Sequence, residues 1–356
     1  MRRAVYPVGG ALDQETGTPK RSSGTVNCVL RVLLLAGLVW PIAACAPIDE
    51  TFQPVTVQGR AIESFFGIVL VASAVVLALV VGGLVYVLIA FRGPGEASTV
   101  AGNKRLEVGW TTAALVLVFG LFVLAMRTLG TVDASAAPSG GQNTVVQVIG
   151  HQWWWEFRYP DRGVVTANEL YLPEGQPVEL RITGADVIHS FWVPRLGWKR
   201  DAIPNKTNTM QVQLDSSGTF DGPCAEYCGA QHAWMRIRLT GVPQQRFDAW
   251  ARDQAASAAA PTDAAAQRGL SLFLSNTCVS CHTIRGTPAS ATVGPDLTHV
   301  GSRTTLGAGV LDNSPDAMRR WIADPQAIKP GARMPSFPNL SNAQIADLTS
   351  YLESLK

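Results

Sequence analysis

Hydrophobic positions are distributed unevenly, with long apolar runs in the first third of the chain and short periodic patterns afterwards. Residues 64–91 and 108–126 carry no charged side chain. A helix of about 20 apolar residues crosses the hydrocarbon core of a membrane. Both stretches therefore predict transmembrane helices, joined by a loop at 92–107. The alternative, two core helices of a soluble domain, is disfavoured because no neighbouring sequence could cover two uniformly apolar helices.

The loop between the two predicted spans has three basic and two acidic residues, namely Arg92, Lys104, Arg105, Glu96 and Glu107. Positive charge favours the cytoplasmic side of a membrane. We therefore expect this loop in the cytoplasm, and everything after the second span on the external face.

A third apolar run, at 28–45, follows several basic residues and ends in small ones. This pattern predicts a secretory signal peptide at 1–44 and a short external segment at 45–63. Residues 42–45 resemble the bacterial lipobox, which implies that Cys45 is lipidated. A plain signal peptide and an additional membrane anchor remain the alternatives, and Cys28 has no assigned role.

Beyond a small-residue linker at 127–143, the pattern changes to strands. Apolar and polar residues alternate at 144–149 and 178–182, with turn signals between such runs. Short strands at this spacing predict an all-β sandwich or barrel over 144–250. An alanine-rich stretch at 251–262 predicts a second flexible linker.

Helical periodicity returns at 263–356, which predicts a small all-α domain. Ser314 before Pro315 is typical of a helix start, and Ser341 with Gln344 forms a capping box before the last apolar face.

Composition supports a membrane protein. The 356 residues are 47% apolar and 16% charged, against about 25% charged in soluble domains. A net charge of +2 argues against a nucleic-acid partner. Four of the six cysteines form two closely spaced pairs, so the thiols indicate specific chemistry.

The first pair lies in a cluster of metal-binding residue types. Cys224, Cys228, His232 and Met235 fall within twelve positions, and His189 lies upstream. Thiolate and thioether ligands with imidazole favour copper, and a second thiolate on the loop can bridge a second copper. A disulfide and a zinc site are the alternatives. A disulfide leaves the histidine and methionine unexplained, and zinc rarely takes a thioether ligand.

The second pair lies in Cys278-Val-Ser-Cys281-His282, the attachment signature of c-type haem. The two thiols would form thioether bonds and His282 would bind the iron. A redox C-x-x-C motif with an accidental histidine is the alternative, but no thioredoxin-like βαβ pattern surrounds it.

The sixth position on the iron calls for methionine or histidine. Met334 lies on a proline-rich loop and is the expected ligand. Met318 belongs to the apolar face of a helix, which favours a core role, and His299 is a weaker rival.

Residues 50–250 resemble subunit II of haem–copper cytochrome c oxidases, a two-helix hairpin followed by a cupredoxin domain with a binuclear Cu-A centre. The resemblance lies in His189 and in the C-x-E-x-C-x-x-x-H-x-x-M run at 224–235. It implies that Cys224 and Cys228 bridge two coppers, and that the Glu226 side chain helps to hold Mg at the interface with subunit I. The remaining implied copper ligands are His189, His232, Met235 and the backbone carbonyl of Glu226.

Two further residues acquire roles only through this resemblance. Trp153, in an aromatic run at 153–155, matches the position at which electrons from cytochrome c enter. Glu107, in Glu-x-x-Trp, matches a residue that guards a proton path into subunit I. Without the resemblance, the tryptophans indicate core or membrane-surface packing and Glu107 an ordinary boundary charge.

Residues 263–356 resemble class I cytochrome c. The whole chain thus resembles a caa-type subunit II with a fused cytochrome: a multi-domain membrane protein with a transmembrane hairpin, a cupredoxin-like domain and a cytochrome c domain. This implies Cu-A, covalent haem c, partner subunits I (with haem a and Cu-B) and III, and a location in the bacterial inner membrane. It implies electron transfer from cytochrome c, including the fused haem, toward oxygen reduction in subunit I, with proton pumping.

Two other functions would share part of this sequence pattern. A quinol oxidase subunit would lack the copper ligands. A membrane-tethered electron-transfer subunit of another reductase, such as a nitric oxide reductase, would share both centres and remains the alternative.

Overall fold

The computed structural model describes residues 52–93, 102–134 and 144–356. The predicted signal peptide, Cys28 and Cys45 lie outside these ranges. The described chain consists of two long helices, a β domain and a helical domain, which confirms the predicted fold class.

The two long helices are α1 (Val57–Ala90) and α2 (Lys104–Ala134). Both are long and apolar enough to cross a membrane, and their most hydrophobic windows have no protein cover. Each extends beyond the uncharged stretch that predicted it, because polar turns at the ends continue the helix. Thr56 caps α1 by accepting a hydrogen bond from Gly59, and its hydroxyl donates to the carbonyl of Leu196 in the β domain. The first helix therefore starts directly on that domain.

The β domain contains two sheets, whose strands are β1 (Thr144–His151), β2 (Trp154–Tyr159), β3 (Val164–Ala167), β4 (Glu169–Pro173), β5 (Pro177–Gly184), β8 (Asn208–Gln213), β9 (Gly218–Pro223) and β10 (Arg236–Val242). The larger sheet has five strands in the order β3-β2-β1-β5-β8, and the smaller has three in the order β4-β10-β9. Strand β1 runs parallel to β5, and β4 runs parallel to β10. A separate ladder pairs β6 (His189–Trp192) with β7 (Lys199–Ala202).

Alternate residues of the strands build the core of this domain. Val146, Val148, Leu180 and Ile182 are fully buried on adjacent strands of the large sheet, together with Trp155. This is the alternation expected of a half-buried sheet. Helix α3 (Gln244–Ala255) covers one side, with Phe247 fully buried. The core thus gives a rigid base to the loops that connect the strands.

The helical domain consists of α4 (Ala264–Ser275), α5 (Pro315–Ala323), α6 (Pro325–Ile328) and α7 (Asn342–Ser354), with a short ladder of β11 (Thr305–Leu306) and β12 (Leu311–Asp312). Ser314 caps α5, and Ser341 with Gln344 forms the predicted capping box on α7. Helices α4 and α7 cross closely at Gly269, where a side chain would collide with the backbone of Asp347. The described ranges also contain five short 3-10 helices, at Pro160–Arg162, Pro194–Leu196, His232–Trp234, Thr277–Ser280 and Val300–Ser302.

The helical domain is seated on the β domain through buried polar contacts. The carboxylate of Glu169 on β4 is 3% exposed. It accepts hydrogen bonds from both the backbone and the hydroxyl groups of Thr304 and Thr305, at 2.7–3.1 Å. The backbone N–H of Arg236 donates to Ala308 at 3.2 Å. Since an unpaired buried carboxylate is strongly unfavourable, these bonds favour one docked arrangement.

Candidate metal centre and haem pocket

The predicted copper ligands come from two loops that the strands bring together. His189 opens β6, and Cys224 directly follows β9. The chain then loops back through the 3-10 helix at His232–Trp234 into β10, which pairs antiparallel with β9. The backbone N–H of Cys224 donates to the carbonyl of Met235 at 3.0 Å, which closes the loop. Residues far apart in the motif therefore meet at the end of one ladder.

The donor atoms of this cluster lie within a few ångströms of one another. The Cys228 sulfur is 3.9 Å from that of Cys224, 3.7 Å from Nδ1 of His232 and 3.9 Å from the Met235 sulfur. The carbonyl oxygen of Glu226 is 3.3 Å from the Cys224 sulfur. Both cysteines are free thiols, since a disulfide requires a sulfur separation of about 2.05 Å. The disulfide alternative is therefore excluded in this structure.

His189 shows how well the residues fit a metal. The side chain is fully buried, and its Nε2 hydrogen-bonds the carboxylate of Asp186 at 2.9 Å. Its Nδ1 is buried without a hydrogen-bond partner. One donor nitrogen or sulfur each from His189, Cys224 and Cys228 lies within 4.8 Å of the others. A carboxylate on one ring nitrogen and a free lone pair on the other is the usual arrangement of a metal-binding histidine.

The two thiols also influence each other electrostatically. Hydrogen bonding to Cys228 lowers the pKa of the Cys224 thiol well below its usual value, although burial opposes this shift. The neighbouring His189 and hydrogen bonds with the backbone also lower the pKa of Cys224. Thiolate is the form that binds metals, so the pocket favours the ligand state of Cys224. Two sulfurs, imidazole and a thioether in one buried cluster fit copper.

We expect Asp186→Asn to weaken copper binding by about 10–100-fold, the usual loss when a partner of a metal-binding histidine is removed. The neutral amide no longer holds the Nε2 proton of His189 electrostatically. Competition against a copper chelator measures the affinity. Asp312→Asn is the matched control, on an exposed residue of β12; equal affinity in the two variants would contradict the prediction.

Trp153 connects the metal cluster to the rest of the molecule. Its indole N–H donates to the carbonyl of Cys228 at 3.0 Å, and the side-chain amide of Gln152 donates to the same oxygen at 2.8 Å. Trp154 stacks on His151 with the ring centres 4.3 Å apart. The aromatic run is therefore not simply core packing, because Trp153 contacts the ligand loop directly.

A large cavity with mostly apolar walls lies in the helical domain beneath the C-x-x-C-H motif. Cys278, Cys281, His282 and Met334 all line it, and so does Trp153 of the β domain. His282 is half-buried, and its Nδ1 donates to the carbonyl of Pro295 at 2.8 Å. Burial lowers the pKa of His282, so the neutral ring keeps a lone pair on Nε2 for iron. These features fit a covalently attached haem.

The three candidates for the sixth ligand of the iron lie in different surroundings. Met334 and Met318 both line the cavity, and Met318 is the more deeply buried on α5. His299 does not line it, and its two ring nitrogens bond the carbonyls of Lys356 and Ala256 at 3.1 and 3.0 Å. Both nitrogens of His299 are thus already engaged.

The side chains of Glu107 and Glu226 are both exposed. Glu107 is exposed in the first turn of α2. The Glu226 side chain is exposed beside the metal cluster while its backbone carbonyl faces Cys224. Both carboxylates are accessible to a partner.

Sequence reasoning missed three buried or half-buried polar residues. Asp186 orients His189, as described above. Arg303 lines the haem cavity and is half-buried; its buried Nε has no hydrogen-bond partner, and this group fits a carboxylate of the haem. Lys329 lies where the two domains meet. Only the short spacing of Asp186 to His189 gave a local signal, because the other partners are distant in sequence.

Two candidate membrane spans, a thiolate–imidazole–thioether metal cluster and a haem pocket define a membrane-anchored redox protein. Family models match residues 162–242 as the periplasmic domain of cytochrome c oxidase subunit II, and residues 266–356 as cytochrome c. The cytochrome c oxidase subunit 2 of Alkalihalophilus pseudofirmus is 38% identical over 300 residues, covering 81% of this chain and 86% of that protein. The chain belongs to the cytochrome c oxidase subunit 2 family.

Other relatives agree along most of the chain. The subunit 2 of Bacillus subtilis is 31% identical over 349 residues, covering 91% of this chain and 97% of that protein. The subunit 2 of Bacillus sp. strain PS3 is 35% identical over 272 residues, covering 72% and 76%. Family membership makes the chain a subunit of a haem–copper oxidase, with one domain that holds copper and one that holds haem c.

Proposed function

We propose that this subunit passes electrons from cytochrome c, including its own fused haem, to the haem–copper subunit I that reduces oxygen to water. When bound, the covalent haem and the binuclear copper centre supply the one-electron chemistry. The observation that carries this proposal is the position of Trp153. Its side chain lines the haem cavity and also donates a hydrogen bond to the carbonyl of Cys228.

The residues of the chain hold the metal centre in a buried and fixed environment. His189 and both thiols are buried, and the surrounding core is close-packed. In a rigid site with little water, the surrounding dipoles need to reorganise little when an electron arrives, because they are already preorganised. Trp153 provides an aromatic connection between the two sites, and we assign it as the position at which electrons enter the copper centre.

We propose that Cys224 and Cys228 would hold both coppers through their thiolates, and that His189, His232, Met235 and the Glu226 carbonyl would complete the ligands. The distances between these donor atoms support one compact cluster. The exposed Glu226 carboxylate would help to hold Mg at the interface with subunit I. Cys278 and Cys281 would attach the haem through thioether bonds, and His282 and Met334 would bind its iron.

We propose that this subunit lies in the bacterial cell membrane with both redox domains on the external face, and its two long apolar helices support this location. We propose subunits I and III as its partners and cytochrome c as a donor. The lipobox supports lipidation of Cys45, which would add a second anchor to the two spans.

We propose that Glu107 guards a proton path into subunit I, and that the complex pumps protons. Removing the ionisable group should lower turnover, because a carboxylate at a membrane boundary can relay protons. Oxygen consumption by the Glu107→Gln complex is therefore expected to fall several-fold while the copper and haem spectra remain intact. Glu63→Gln is the control, since Glu63 lies near the start of α1, at the opposite membrane face from Glu107. Undiminished turnover in Glu107→Gln would count against a role of Glu107 in the proton path.

The purified complex tests the function as a whole. We expect a haem c absorption spectrum, a seven-line mixed-valence copper signal in electron paramagnetic resonance, and haem a from the co-purifying large subunit. Oxygen consumption should depend on reduced cytochrome c or another one-electron donor. A complex without the copper signal, or one that reduces nitric oxide rather than oxygen, would contradict the proposal.

A further inference from the structure

A buried ammonium group lies at the boundary between the two redox domains. Lys329, directly after α6, is 3% exposed. Its Nζ donates to the carbonyls of Trp153, Trp234 and Gly307 at 2.9, 2.8 and 2.9 Å. All three acceptors are backbone carbonyls, and Lys329 forms no ion pair with any residue in the described ranges. The amine thus uses each of its three donors on a different chain segment.

The three segments are those that define the redox sites. Trp153 lies between the haem cavity and the carbonyl of Cys228, and Trp234 directly precedes Met235. Gly307 belongs to the helical domain and lines the haem cavity. One side chain of the haem domain therefore fixes two segments of the copper domain and one segment of its own.

Such a burial is unfavourable unless every donor is satisfied. Desolvation lowers the pKa of Lys329 to about 7, as expected for an amine that is buried without an acidic partner. An apolar side chain would fill the same space without this penalty. Lysine therefore contributes something that packing alone does not, namely directed bonds to three fixed points.

The rest of the same segment reinforces the connection. Gln231 of the copper loop donates to the carbonyl of Pro330. Arg333 reaches the side-chain oxygen of Gln152 at 3.2 Å and the carboxylate of Asp186 at 3.4 Å. The segment then ends at Met334, the proposed iron ligand. It is thus held at several points by residues that support the copper ligands, and it carries a ligand of the haem.

We propose that Lys329 is a positioning residue for electron transfer between the fused haem and the copper centre. It holds Trp153 in register with the haem cavity and with the Met235 side of the metal cluster. The proposal rests on the proposed electron-transfer function. A reaction that depends on a fixed geometry is slowed strongly by displacements of about 1 Å, so loss of the three bonds should slow this one step.

The test uses the complete purified oxidase with Lys329→Met, a substitution that keeps length and apolar volume but removes the donors. Haem c is reduced with a light flash through a ruthenium dye, and its reoxidation by the copper centre is followed optically. We expect this rate to fall about 10-fold or more, while the copper resonance signal and the methionine–iron absorption band remain as in the parent. The later step, from copper to subunit I, should keep its rate. Lys206→Met, on an exposed lysine of the copper domain, is the matched control and should leave both rates unchanged.

An unchanged rate of haem reoxidation in Lys329→Met would overturn the positioning role. If Lys329→Met loses the copper resonance signal or the methionine–iron band, Arg333→Gln is the second test of the proposal. The side chain of Arg333 is exposed, and its removal loosens the same segment. A slower haem reoxidation with both spectra intact is then expected, and an unchanged rate overturns the proposal. Failure of the proposed function gives a different result: the parent complex itself would show no transfer from haem to copper.

Discussion

Cys228→Ser is expected to abolish the mixed-valence copper signal and to reduce oxygen consumption to near background. The Cys228 sulfur lies at the centre of the donor cluster, within 3.9 Å of donor atoms on Cys224, His232 and Met235. A hydroxyl is a poor replacement for a soft, bridging thiolate. The loss should exceed the roughly 10–100-fold effect of removing a supporting residue. Copper resonance and oxygen uptake on the purified complex measure it.

The second cysteine pair provides the reciprocal control. Cys278→Ser removes one expected thioether bond but leaves the copper cluster untouched, since Cys278 lines only the haem cavity. We expect the copper signal to persist in Cys278→Ser and the haem c spectrum to persist in Cys228→Ser. Simultaneous loss of both signals in Cys228→Ser would indicate general misfolding and contradict a specific ligand role.

Met334→Leu is expected to remove the methionine–iron absorption band of the oxidised haem and to lower its reduction potential. Axial ligands control haem potentials over a range of about 0.8 V, and a thioether ligand raises the potential. Leucine fills similar volume without a sulfur, so the cavity wall is retained. Optical spectroscopy and a redox titration of the complex measure both changes.

Met318→Leu is the matched control, because Met318 lines the same cavity from α5 and is 2% exposed. That variant should keep the absorption band, since a swap of similar volume in a core is generally tolerated. Loss of the band in Met318→Leu but not in Met334→Leu would reverse the assignment of the sixth ligand.

Periodicity and local motifs predicted much of this architecture. The uncharged stretch at 64–91 lies within α1 except for Phe91, which caps the helix; the stretch at 108–126 lies within α2, and the alternation at 144–149 lies within β1. The helix ends were less accessible, because Thr56 and the polar turns beyond it extend α1 past the apolar run. A hydropathy pattern reports which residues tolerate lipid, whereas a helix continues as long as its backbone bonds can form.

In the candidate site, too, the sequence predicted the local features and missed the distant contacts. Cys224, Cys228, His232 and Met235 lie close together in sequence, so their spacing alone suggested copper. Residues that support the site from the other domain have no comparable spacing in the sequence. Lys329 bonds Trp153, 176 positions away, and only the folded chain brings them together. No periodicity or motif encodes a contact between two independently patterned domains.

The wall of the haem cavity is built from both domains, so that each domain depends on the other. Trp153 and Trp154 come from the β domain, yet they line the cavity of the helical domain together with Cys281 and Met334. The cytochrome region is therefore not a self-sufficient unit attached by a tether. Cut out at residue 263, it would expose apolar cavity wall to water, and the remaining β domain would present two uncovered indole rings. The two domains together enclose the haem cavity and form one composite structural unit.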